Sequence, residues 1–437
     1  MGGEWCKYEV NDLIEKKKLF IGDGYRAKNV ELSSAGLPFA RAGNISDGFQ
    51  FEDADCFPEN EIARVGNKVS QPGDVVFTSK GTVGRFAFVL PTTPRFIYSP
   101  QLCYWRSLDP EVIDPRFLYC WMSGREFFIQ YKGVAGQTDM AEYVSLIDQR
   151  HMKITLPEVE EQRAIARILG TLDDKIELNR RMNETLEEMT RAVFKSWFVD
   201  FDPVSAQFEG HDTGLPRYIA DLFPGTFEES DLGEIPKGWK VCTLADLSLL
   251  NPATWQKKKR PATINYVDLS NTKWGLIEAV QSFGQQDAPS RAQRILQPGD
   301  TIVGTVRPGN GSFAFIFEEG LTGSTGFAVL HPLKVEYAEL VYFTATAAEN
   351  IEALSHVADG GAYPAVRPEI VAATRVIKSD DAIIRSFSHL TGPLLAKIAE
   401  NERESRTLSA LRDTLLPKLV SGELRLKDAE RLIGRSI

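Results

Sequence analysis

Two stretches of this 437-residue chain gather polar, cationic and glycine residues into one short turn. Ser79-Lys80-Gly81-Thr82-Val83-Gly84-Arg85 follows Gln71-Pro72-Gly73-Asp74. Thr305-Val306-Arg307-Pro308-Gly309-Asn310 follows a second Gln-Pro-Gly-Asp at Gln297, 226 residues later. Both stretches then run into Phe-Ala-Phe, at Phe86 and at Phe313. Glycines let a backbone approach a ligand closely. Hydroxyls and amides suit phosphate oxygens, and Lys80, Arg85 and Arg307 supply positive charge. Two more Gly-rich turns carry similar groups: Gln137 and Thr138 in GVAGQTDMAEYVSLI, Tyr363 and Arg367 in HVADGGAYPAVRPEI. Lys257 and Lys258 open a basic run that ends at Arg260. This is a chemistry of contact: Arg pairs with guanine and Gln or Asn with adenine, at about 1–3 kcal/mol of discrimination each. A second reading stands beside it. Such a turn is a hairpin whose form serves only the fold, Lys80 is then a surface lysine, and the basic run is a solvated loop.

Bond-making chemistry finds no matching pattern. No G-x-x-x-x-G-K-[ST] loop is present, and the glycines of Gly304–Gly309 lack a following Lys-Ser/Thr. Asn251-Pro252-Ala253-Thr254 lacks the second proline and the aromatic residue of an adenine methyltransferase motif. Neither G-x-S-x-G nor H-E-x-x-H occurs. Asp109, Glu111 and Asp114 read as a polar loop after a strand. Five cysteines and five histidines are scattered without zinc or redox spacing. The expectation is no catalytic residue, no metal and no cofactor. At 43% hydrophobic and 25% charged, the chain is globular and long enough for two or more domains. A net charge of −10 argues against a protein that coats nucleic acid without selectivity. No apolar run reaches the ~18 residues of a membrane span. The start, MGGEWCKYEVNDLIEKKK, has no apolar signal core, so a cytoplasmic location is expected.

The elements that must hold these turns also come twice. Val10-Asn11-Asp12-Leu13 resembles Leu244-Ala245-Asp246-Leu247, and Pro38-Phe39-Ala40 corresponds to Ile264-Asn265-Tyr266. After the second Gly-rich turn of each half, the period changes from strand-like to helical. Leu172, Ile176, Leu186, Met189 and Val193 form a narrow apolar seam, and Leu394, Ile398, Leu408, Leu411 and Leu415 form another. Asn179 and Asn401 lie within the seams, where a polar residue fixes register. Thr171 is the expected N-cap of the first helix, giving a rod of roughly 42 Å to Phe198. The expected fold class is α+β: two mixed α/β domains separated by two long antiparallel coiled-coil helices, with a pseudo-two-fold internal repeat. The expected boundaries are 1–157 and 237–379 for the domains, 158–200 and 380–437 for the helices, and 201–236 for an irregular, Pro- and acid-rich linker. A body of this shape suits a ligand with two features a fixed distance apart, such as duplex DNA. The alternative is that the helices only complete one large core.

The segment LPEVEEQRAIARILGTLDDKIELNRRMNETLEEMTRAVFKSWFVDFDPV resembles the central conserved region of specificity (S) subunits of type I restriction–modification enzymes. GQTDMAEYVS resembles the end of their first target-recognition domain. The QPGD-to-FAF segment resembles their recurrent strand and Gly-rich turn, and HDTGLPRYIADLFPGTFEESDLGEIPKGW the linker and second-domain entry of one subgroup. The resemblance covers nearly the whole chain, is strong over 136–240 and is weaker in the last fifty residues. It implies two target-recognition domains, each reading half of a split double-stranded DNA site, and helices that set the spacer. It also implies docking of two methyltransferase (M) subunits, with nuclease–translocase (R) subunits joining. S-adenosylmethionine, ATP and magnesium then belong to those partners, and the chain itself is no enzyme. GGAYPAVRPEI departs from GQTDMAEYVSLI, so roles do not transfer residue by residue into the second half. Two other readings remain: a coiled-coil scaffold without a DNA role, and the recognition part of a fused methyltransferase.

Overall fold

Glycine fixes the turn that the sequence repeats. In the computed structural model Gly73 and Gly299 take φ of 93° and 89°, a left-handed region open mainly to glycine. The Asp74 amide returns to the Gln71 carbonyl at 3.1 Å and the Asp300 amide to the Gln297 carbonyl at 3.0 Å. The Gln71 and Gln297 amides each donate to the aspartate that follows, both at 2.8 Å. The structure describes residues 5–45, 48–80, 84–135, 144–256, 259–358, 364–429 and 431.

The chain divides into two compact units, residues 1–178 with 404–437, and residues 179–403. In the first, strands β1 (Leu19–Asp23), β2 (Val75–Thr78), β3 (Phe86–Phe88) and β4 (Leu102–Ser107) form a sheet in the order β1-β4-β2-β3. Val-Val-Phe-Thr is buried at all four positions because both faces of β2 are covered. Val75, Phe77, Cys103 and Trp105 join a core with Phe117, Trp121 and Phe127 of the flanking helices. Their alternates Val76, Leu102 and Tyr104 pack with Ala40 and Tyr98 on the other side. Ala40 and Tyr98 belong to a second sheet, where Leu37–Ala40 runs parallel to Ile97–Tyr98 and antiparallel to Cys56–Phe57. The period of two along each strand makes this double coverage possible.

The second unit repeats the plan. Its strands β5 (Ser248–Leu250), β6 (Thr301–Gly304), β7 (Phe313–Phe315) and β8 (Phe327–Pro332) are ordered β5-β8-β6-β7. Val303, Phe313, Ala328 and Leu330 face one core, while Ile302, Ala314, Phe327 and Val329 face the other. The companion sheet again centres on a parallel pair, Thr263–Val267 with Leu321–Ser324. Each unit also holds an antiparallel pair, Cys6–Glu9 with Lys153–Leu156 and Lys240–Thr243 with Arg375–Lys378.

Two helices of 40 residues, α1 (Val159–Phe198) and α2 (Asp381–Val420), contribute one half to each unit. At 1.5 Å per residue each is about 60 Å long. The expected cap at Thr171 is therefore corrected: Thr171 lies inside α1, and its hydroxyl donates to the Arg167 carbonyl at 2.7 Å. Ile165, Ala166 and Leu169 are buried in the first core, so tertiary packing carries the helix back past Gly170. In the first unit Arg412 pairs with Asp173 at 2.9 Å and Lys175 with Glu404 at 3.1 Å. In the second, Asn401 Nδ2 donates to Asn183 Oδ1 at 2.8 Å and Asn179 Nδ2 to the Asn401 carbonyl at 3.3 Å. Within each unit the partners run in opposite chain directions.

Leu172, Leu408 and Leu415 are buried, with Ile176 and Leu411 packed against them; Val193 and Ile398 pack on the second core. Leu186 and Leu394 are half-buried. Met189 is 51% exposed, which corrects its placement in the seam. Thr190 turns inward instead, buried, with its hydroxyl donating to the Leu186 carbonyl at 3.0 Å. Next to Leu394, Leu395 is the buried residue.

The linker is also corrected. Residues 201–236 form helices Asp202–Glu209 and Arg217–Ala220 and a hairpin of Phe227–Ser230 with Gly233–Pro236. Phe201, Val204, Phe223 and Ile235 enter the second core beside Trp197 and Trp239. Burying a side chain of this size stabilises by about 1.5–3 kcal/mol, enough to order a segment whose composition reads as irregular. Among the described residues no helix is long and apolar enough to cross a membrane.

Candidate functional site

The Gly-rich turns are built in pairs, one pair per unit, on the same hydrogen bonds. After β2, the Thr78 amide donates to the Arg85 carbonyl at 3.0 Å; after β6, the Gly304 amide donates to the Ser312 carbonyl at 2.6 Å. The next residue is tied to the strand alongside. Ser79 donates from its amide and its hydroxyl to the Gln101 carbonyl at 2.9 and 3.4 Å. Thr305 donates from both groups to the Gly326 carbonyl, each at 2.8 Å. The residues that follow each second Gly-rich stretch then bond to the first turn. The Val144 amide donates to the Ser79 carbonyl at 3.2 Å and the Val366 amide to the Thr305 carbonyl at 2.9 Å. In the second unit the ladder continues, with Val306 bridging Ala365 and the Arg307 amide donating to the Pro364 carbonyl at 2.9 Å. Immediately beyond each docking point a short helix begins, at Leu146 behind a Ser145–Asp148 capping box and at Pro368 behind Arg367.

This arrangement sorts the candidate residues. Ser79 and Thr305 are buried and their hydroxyls are engaged within the chain, so the expectation that they face a ligand is corrected. A hydroxyl at the first turn position lies nearer the neighbouring strand's carbonyl than solvent, and it closes the turn. Arg85 is exposed, yet its guanidinium braces the 42–45 turn by bonds to the Ile45 and Ala42 carbonyls at 3.2 and 3.4 Å. Lys80 is exposed. Arg307, Asn310 and Arg367 are exposed, and in the antiparallel ladder between 305–307 and 364–366 Arg307 lies opposite Pro364, at the end of the ladder away from Arg367. Arg307 is one of five non-glycine residues with positive φ among those described, at 48°. Thr82, Gln137, Thr138, Lys257, Lys258 and Tyr363 lie outside the described residues.

Beneath each turn sits a buried aspartate that the sequence reading passed over. Asp74 is held by Arg106 from β4 through two bonds, Nε to Oδ1 at 2.6 Å and Nη2 to Oδ2 at 2.7 Å. The Tyr98 hydroxyl donates to Oδ2 at 2.6 Å. Burial pulls the Arg106 guanidinium down, and the Asp74 carboxylate more than offsets this, leaving it above its ordinary value. Asp300 is held by His331 from β8, with Nδ1 at 2.7 Å from Oδ1. Burial pushes the Asp300 carboxyl above its ordinary value, while the Gln297 amide and the His331 ring pull against it. A signal for both existed. Arg106 in LCYWRS and His331 in FAVLHP are lone polar groups in apolar strands, and such a group needs a buried partner.

Comparison with known proteins places this geometry. Residues 3–188 match the family model of the type I restriction modification DNA specificity domain. The type I restriction enzyme HindI specificity subunit of Haemophilus influenzae is 22% identical, aligned over 96% of this chain and 100% of its own length. The MjaIX specificity subunit of Methanocaldococcus jannaschii is 23% identical over 85% of this chain and 82% of its own. The crystal structure of a type I restriction–modification S subunit from M. genitalium shares the fold, with a TM-score of 0.60 over 95% of this chain and 96% of that one at 14% identity.

Proposed function

By its matched segment the chain belongs to the type I restriction modification DNA specificity family, and from that premise we propose that it is the sequence-recognition subunit of such a system. The recognition regions 1–157 and 237–379 each read one half of a bipartite double-stranded DNA site. The observation that carries this reading is the paired turn built twice, Ser79 with Val144 and Thr305 with Val366, on sheets of the same strand order. One fold with two different rims is what an asymmetric split site requires: Lys80 and Arg85 on one, Arg307, Asn310 and Arg367 on the other. Arg307 and Arg367 supply guanine or phosphate contacts, and Asn310 an adenine contact.

In this reading α1 and α2 pair as an antiparallel coiled coil, relate the two regions by a pseudo-two-fold axis, fix the spacer and dock two methyltransferase subunits. Nuclease–translocase subunits join that assembly in the cytoplasm. The chain contributes recognition without catalysis, and cofactors belong to its partners. Its net charge of −10 gives little general attraction to DNA, so tight binding needs the methyltransferase partners. Methylome sequencing of cells with and without this chain is the test. Loss of methylation at one split motif is expected, and an unchanged methylome overturns the reading.

A further inference from the structure

One exposed aromatic residue beside the second rim stands in a conformation its type disfavours. Thr272–Lys273 and Leu276–Ile277 form a two-stranded hairpin, with Thr272 opposite Ile277 and Lys273 opposite Leu276. Its two-residue turn is Trp274-Gly275, with φ of 48° and 94°. Positive φ at both positions is the type I′ hairpin turn, where asparagine or aspartate normally precedes glycine. A tryptophan in the left-handed region is strained, and such strain collects at sites of function.

The surroundings hold the indole in place. The Trp274 amide donates to the Gly311 carbonyl at 2.6 Å and the Gly275 amide to the Phe313 carbonyl at 2.9 Å. The Phe313 ring meets the indole edge-on, with centroids 5.8 Å apart. Gly311 gives it room: a Cβ there would lie 2.5 Å from the indole. Gly311 closes the Arg307–Asn310 turn through its amide to the Pro308 carbonyl at 3.0 Å, so indole and rim share one backbone scaffold. Despite this packing Trp274 is 58% exposed. In the first unit, by contrast, Phe49 and Phe51 pack on the buried Phe96 at 4.6 and 5.1 Å.

We infer that Trp274 is a specificity-determining residue of the second recognition region, presenting a fixed apolar surface to a base of that half-site. This rests on the DNA-recognition reading above. The base offers either a thymine methyl in the groove or, where a base step is unstacked, an aromatic face, and an indole recognises both by apolar contact.

The test uses the full chain co-expressed with its methyltransferase subunits, on duplexes carrying the split motif found by methylome sequencing. Trp274→Ala is expected to lose at least tenfold in affinity for the cognate duplex while binding a scrambled duplex unchanged. Preference should relax at one position, in the second half-site only. Uracil in place of each second-half thymine separates the two chemistries. A loss in the wild type that is absent in Trp274→Ala identifies the methyl, and no loss identifies stacking. Trp274→Phe keeps a ring on the turn, and cognate DNA should quench wild-type indole emission more than that of the Phe variant. Unchanged affinity and motif in Trp274→Ala, or equal quenching in both proteins, overturns the inference while leaving the recognition reading intact. A wild-type complex without any split-sequence preference overturns both.

Discussion

The two QPGD turns are built alike and anchored differently. Their glycines, backbone closures and aspartates agree to within 0.1 Å in the Gln-to-Asp bonds. Beneath them the first aspartate meets a bidentate arginine and a tyrosine, and the second meets a histidine through one nitrogen. The turn therefore needs a buried carboxylate acceptor, and several donors satisfy it. Arg106 is permanently charged and forks across both oxygens, whereas His331 offers a single contact through Nδ1. The first anchor is charged and bidentate and so costly to break, and the second is a single contact to a carboxyl that burial holds above its ordinary value.

The largest effect should come from removing one partner of the arginine pair. Asp74→Ala leaves Arg106 buried without a counter-charge and should cost about 3–5 kcal/mol. Asp300→Ala should cost less, about 1 kcal/mol, because the half-buried His331 and the exposed Gln297 amide can turn to water instead. Chemical denaturation of both variants checks this, and equal losses would erase the distinction between the anchors. Next comes the rim. Arg307→Ala should weaken cognate DNA binding by about 1–3 kcal/mol and relax preference in the second half-site alone. Lys80→Ala should lower affinity for all sequences and shallow the salt dependence. Binding to duplexes altered in one half at a time reads both.

The glycines test the likeness. Gly73→Ala and Gly299→Ala meet only ordinary contacts, Pro115 at 3.5 Å and Pro332 at 3.8 Å. Each should therefore cost only the left-handed backbone penalty, about 1–2 kcal/mol, and shift thermal midpoints equally. The smallest effect is a pH dependence. The Asp300 carboxyl is held above its ordinary value of 3.8. Its contribution to stability is therefore complete below pH 3.8 and is lost as pH rises through the raised value. Asp300→Asn should remove that slope. Midpoints of wild type and variant, followed from pH 4 to 7, should diverge at the acid end and change least near neutrality.

Much of this plan was legible in the residues. Gln-Pro-Gly-Asp, repeated 226 residues apart and followed each time by Phe-Ala-Phe, marks β2–β3 and β6–β7 directly, because a positive-φ glycine and a buried two-residue period leave few alternatives. The second turns were legible as Gly-rich segments, but their docking by Val144 and Val366 was not, since a backbone bond between remote residues leaves no side-chain signature. The hydroxyls of Ser79 and Thr305 misled for a related reason: residue type does not say which way a side chain points. The start of α1 was missed because Gly170-Thr171 mimics a cap while Ile165 and Leu169 are already in the core. Met189 and Thr190 were confused because hydrophobicity outranked a 3.6-residue step that favours the threonine. Phe201, Val204, Phe223 and Ile235 of 201–236 are outweighed on paper by acidic residues that lie on the surface.

The division of α1 and α2 between the units bears on how the chain matures. The unit that contains residues 1–178 also draws on the segment from residue 404, so Leu408, Leu415 and Leu419 complete its core only after residues 179–403 have been synthesised. The unit encoded in the middle, 179–403, has every one of its residues available earlier. Domains ordinarily form in order of synthesis from the N-terminus. Here the first unit's core is the last to receive all its residues, and a chain truncated by translational arrest before residue 404 would lack Leu408, Leu415 and Leu419 of that core.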